Sequence, residues 1–99
     1  VLDTISFTAG RPSTVRWQVH NQDCVALPLF PSEPAISVII GPDPDFFWHG
    51  HAEAPTHETD VEVPITFPKA GDYLLWTETY ANIGQEYQSV IGQFLLSAL

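Results

Sequence analysis

The residue types best suited to chemistry are gathered in FFWHGHAEAPTH, residues 46–57, where His49, His51 and His57 fall within nine positions. In an extended segment, side chains at i and i+2 point the same way. The imidazoles of His49 and His51 can therefore reach one metal ion, with His57 returning from the following loop as a third ligand. Glu53, Glu58 and Asp60 add carboxylates. Six of the twelve acids lie between Asp43 and Glu62, with no Lys or Arg among them. Such a stretch attracts a cation. Imidazole combined with carboxylate suits copper, zinc, nickel or iron, and copper or zinc is the cofactor to look for here. A solvated acidic loop, its histidines exposed or packed on Trp48, fits the same residues. Phe46, Phe47 and Trp48 are consecutive, so they cannot all face one core. At least one must turn toward solvent or a neighbour, which makes the three a candidate interaction surface.

Other catalytic constellations are absent from the sequence. It holds no G-x-S-x-G elbow, no phosphate-binding P-loop and no H-E-x-x-H. The one cysteine, Cys24, stands beside Asp23, a poor setting for a thiolate nucleophile, and reads as a small buried residue. It cannot form an internal disulfide. The expectation is a protein that is not an enzyme.

The elements that would position these residues are strands. Nine prolines and six glycines in 99 residues are hard on helices. Residues 14–20 alternate, with Val15, Trp17 and Val19 on one face. Residues 61–67 do the same with Val61, Val63, Ile65 and Phe67. Ile5 and Phe7 share a face, residues 36–40 form a short β-branched run, and residues 72–80 and 87–96 are rich in aromatic and aliphatic side chains. Six or seven such segments predict an antiparallel sandwich formed by one domain over residues 1–99. Trp17 and Trp76 are expected in its core. Pro64 marks an edge or irregular strand. A competing helix over residues 77–91 is weakened by Gly84. Proline-rich residues 28–34 read as a rigid connection, and residues 41–45 as a turn.

Composition narrows the partners. The net charge is −9, with only Arg11, Arg16 and Lys69 as fixed cations. Nucleic acid needs many more, and an anionic membrane surface is disfavoured for the same reason. No apolar run approaches the roughly 20 residues of a membrane span, so direct membrane insertion by this segment is not expected. The chain begins at Val1, as a processed or excised piece would.

One further stretch, FPKAGDYLLW at residues 67–76, combines the turn chemistry of Pro68 and Gly71 with Tyr73 at the start of a strand. It resembles the corner before the last strands of cupredoxin-like sandwiches. The chain also resembles bacterial extracytoplasmic domains that carry an H-x-H stretch, then an alternating strand, then F-P-K-x-G-x-Y-x-L-W. Here those pieces are His49-Gly50-His51, residues 61–65 and residues 67–76. The resemblance covers the chain best from about Trp48 to its end. It implies a Greek-key β-sandwich of cupredoxin-like or immunoglobulin-like type, a periplasmic or extracellular location, and docking on a larger protein or membrane complex. It does not extend to blue copper. Such a site needs a Cys thiolate near Thr77, a His beyond it and usually an axial Met. No Cys stands there, no His follows His57, and the chain has no Met. A cupin site fails as well, because no later strand carries a His. Two functions remain: a non-catalytic binding or assembly module, and a metal-binding domain for sensing, delivery or storage.

Overall fold

The computed structural model describes residues 1–2, 6–43, 45–52 and 58–99. They form seven strands and no helix: β1 (Ser6–Phe7), β2 (Pro12–Trp17), β3 (Ala35–Ile40), β4 (Phe47–His51), β5 (Val61–Thr66), β6 (Gly71–Ile83) and β7 (Glu86–Ala98). Two sheets result, one of five strands in the order β1-β7-β6-β3-β4 and one of β2 with β5. Their facing sides share a single core, an arrangement compatible with a β-sandwich.

Alternation accounts for the smaller sheet. Val15 pairs with Val63 and Trp17 with Val61, so these apolar side chains enter the core together. Pro64 lies opposite Thr14 on the exposed side. Among the described strands β5 pairs only with β2, so the missing donor of Pro64 breaks no central ladder.

The larger sheet is built on the long β6–β7 hairpin, which occupies the region of the competing helical reading. Its turn places Gly84 at φ 60° and Gln85 at φ 74°. Two successive left-handed residues match the right-handed twist of the flanking strands and end any helix. The expectation of an antiparallel architecture needs one correction. β1 runs parallel to β7, with Ser6 beside Ser97. The chain leaves the large sheet after Phe7 to enter β2 of the smaller one.

The corner before β6 fixes that strand's phase. The Tyr73 hydroxyl donates to the Lys69 carbonyl at 2.7 Å, and its ring lies 4.7 Å from that of Phe67. With Tyr73 inward, Leu75, Thr77, Thr79 and Ala81 follow it into the core. Trp76, on the opposite phase, is half-buried on the other side of the sheet, which corrects its expected place in the core. Trp17 is buried as expected, and its Nε1–H donates to Thr79 Oγ1 at 3.0 Å across the two sheets. Ser37 Oγ donates to Thr77 Oγ1 at 3.1 Å, and Thr77 Oγ1 donates to the Ile36 carbonyl. Among the described residues no buried side-chain polar atom lacks a partner. Cys24 is exposed at φ 60°, not buried. Asn21 Oδ1 accepts from the amides of Asp23 and Val25, and this turn holds Cys24 away from the core.

Candidate functional site on the outer sheet face

Side chains directly opposite in an antiparallel ladder share a face. The registers of β4, β3, β6 and β7 therefore assemble the outer face of the large sheet in rows. Phe47, Ile40, Leu74 and Leu95 form the first row; His49, Val38, Trp76 and Gln93 the second; His51, Ile36, Glu78 and Ile91 the third. Phe47 is 67% exposed, Leu95 64%, Ile91 55% and Ile40 45%. Val38, Trp76, Ile36 and Glu78 between them are half-buried.

The alternation of β4 sorts the aromatic triplet. Phe47 faces outward. Trp48 packs against the core, and so does Phe46, just before the strand, with its ring edge-on to Tyr73 at 5.3 Å. Of the three candidate interaction residues, the structure brings Phe47 alone onto the exposed face. Gly50, between the two histidines, is inward. A Cβ there would lie 2.5 Å from the Trp48 indole, so the absence of a side chain lets Trp48 fold along its own strand.

His49 and His51 emerge side by side on the outer face, as i and i+2 residues of an extended strand must. Their rings are 5.2 Å apart and nearly perpendicular. His51 Nδ1 contacts the Glu33 carboxylate. A carboxylate accepts, so Nδ1 carries the proton and the lone pair of a neutral ring sits on Nε2. Among the described residues no group of three or more His, Cys, Asp or Glu side chains could hold a metal ion. His57 and Glu53 lie outside the described residues. Glu58 and Asp60 are in the turn before β5.

Beyond His51 the face changes character. Residues 28–34 run beside the far half of β6: the Phe30 amide donates to the Tyr80 carbonyl and the Tyr80 amide to the Pro34 carbonyl, at 2.9 and 2.8 Å. Phe30, Glu33, Ile36, Tyr80 and Tyr87 line an open surface pocket of about 310 Å³. Phe30 meets Tyr87 edge-to-face at 5.2 Å. Tyr80 has its phenol pushed above its usual range by partial burial, by its hydrogen bond to the Glu78 carboxylate, and by the charges of Glu78 and Glu33. Sequence reading missed these residues. The one available signal was Phe30, a large aromatic inside a proline-rich connection.

No protein-family model matches the chain, and no curated protein shows significant sequence similarity to it.

Proposed function

We propose that this chain is a cupredoxin-like Greek-key sandwich that serves an extracytoplasmic protein as a non-catalytic docking domain. It attaches to a larger protein or complex through the outer face of its five-stranded sheet. The observation that carries this reading is the row Phe47, Ile40, Leu74 and Leu95, four apolar side chains from four adjacent strands, all exposed. A second copy is the poorer occupant, because two chains of charge −9 repel one another. The test is Phe47→Asp with Leu95→Asp in the full-length protein. Co-purification with the native complex should be lost while the far-ultraviolet CD spectrum and thermal transition of the domain are kept. Undiminished co-purification would overturn the reading.

A second reading rests on the imidazole pair. With Nδ1 of His51 held by Glu33, its Nε2 and the adjacent His49 ring offer two nitrogen donors to copper or zinc, in the manner of metal sites whose histidines are oriented by a carboxylate. Calorimetric titration with Cu(II) and Zn(II) should give one equivalent, and His49→Ala with His51→Ala should abolish it. Binding no tighter than about millimolar in the wild type would remove this reading and leave the docking module.

A further inference from the structure

The pocket at the far end of the outer face has the composition of a cation site. Phe30, Tyr80 and Tyr87 supply three aromatic rings, and Ile36 forms the floor beside them. Glu33 stands in the wall, and Glu78, outside the lining, is the hydrogen-bond and charge partner of Tyr80. Neither Arg11, Arg16 nor Lys69 lines the pocket; Arg16 pairs with Glu62 and Lys69 with Asp43. Glu33 also contacts His51, through its Oε1. Aromatic faces carry negative charge density and attract a desolvated cation, most of all a diffuse alkylammonium that also gains from burying its methyl or methylene groups. A hydrated metal ion has no use for such walls. A neutral apolar ligand has no use for the two carboxylates.

We propose that this pocket binds an alkylammonium group, held against Phe30, Tyr80 and Tyr87 and neutralised by Glu33 and Glu78. The group can come from a lysine side chain of the docked partner, which would deepen the docking reading, or from a free quaternary amine. The volume of about 310 Å³ admits either head group.

The test uses the isolated chain and small probes, so that its outcome does not depend on finding the docking partner. Amide chemical shifts are followed during titration with tetramethylammonium, with N-acetyl-lysine methylamide and with neutral 3,3-dimethylbutan-1-ol. At least one cation should perturb residues 30, 80 and 87 and saturate roughly tenfold more tightly than the neutral alcohol. Saturation by the lysine derivative alone assigns the partner's side chain, by tetramethylammonium alone the free amine, and by both the shared chemistry. Tyr80→Leu with Tyr87→Leu should weaken cation binding about tenfold. Should that variant unfold, Glu33→Gln with Glu78→Gln removes charge without removing packing. It should weaken the cation several-fold and leave the alcohol unchanged. Equal binding of cation and alcohol, or no saturation by either cation, would overturn the proposal.

Discussion

The two faces of the five-stranded sheet come from the same strands and differ in almost everything else. The inner face carries the hydroxyls of Ser37, Thr77 and Thr79, yet these are among the most buried side chains in the molecule. The outer face carries Phe47, Leu74, Leu95 and Trp76, yet it is open or only half-covered. Burial here does not follow side-chain hydrophobicity. It follows which face the β2–β5 sheet covers, and the hydroxyls are tolerated inside because Trp17 and the neighbouring backbone satisfy them. The docking proposal rests on the most exposed apolar residues of that outer face, Phe47, Leu95 and Ile40.

That contrast can be broken most severely at Trp17. Trp17→Ala removes the largest buried side chain and should cost about 3–5 kcal/mol in chemical denaturation. A loss below about 1 kcal/mol would place Trp17 on the surface. Thr79→Val keeps the volume but leaves the indole N–H without its acceptor, and should cost about 1–3 kcal/mol. Trp76→Ala, on the other face of the same strand, should cost only about 1 kcal/mol, the scale of sheet propensity and cross-strand contacts. A cost equal to that of Trp17→Ala would erase the distinction between the faces.

The smallest effect is at the pocket. Glu78→Gln removes the charged acceptor beside Tyr80 and should shift the ionisation of that phenol to lower pH, read by tyrosinate absorbance. An unchanged titration would separate the two side chains. The sign for stability follows. The raised folded value makes Tyr80 favour the fold fully below its ordinary value of 10.0, and that contribution fades as pH climbs through the folded value.

Much of this was legible in the sequence. The β2 and β5 alternations have a single apolar phase, so Val15, Trp17, Val61, Val63 and Ile65 could only face inward. The H-x-H spacing placed His49 and His51 on one face of any extended segment, and β4 is extended there. β6 was different. In DYLLWTETY the even residues Leu74, Trp76 and Tyr80 are as apolar as Tyr73 and Leu75, with two threonines on the odd phase. A one-residue slip exchanges the two faces, and only the Tyr73 corner and the Trp17–Thr79 bond decide between them. The Tyr73 bond is local and sits in the FPKAGDYLLW corner, whereas the Trp17–Thr79 bond joins residues far apart in sequence. The aromatic pocket was hidden for a similar reason. It is assembled from residues 30, 33, 36, 80 and 87, which no local pattern connects. The parallel pairing of β1 likewise depends on a contact between the two ends of the described chain.

The most direct test of docking through the outer face is site-specific photo-crosslinking in the native host, with a benzophenone side chain placed at Leu95 or, as the control on the small sheet, at Thr14. Both positions are exposed. Leu95 should give one discrete adduct well above twice the chain mass, lost when Phe47→Asp is added, and Thr14 should give none. Equal adducts from the two positions, an adduct of only twice the chain mass, or none from Leu95 would contradict it.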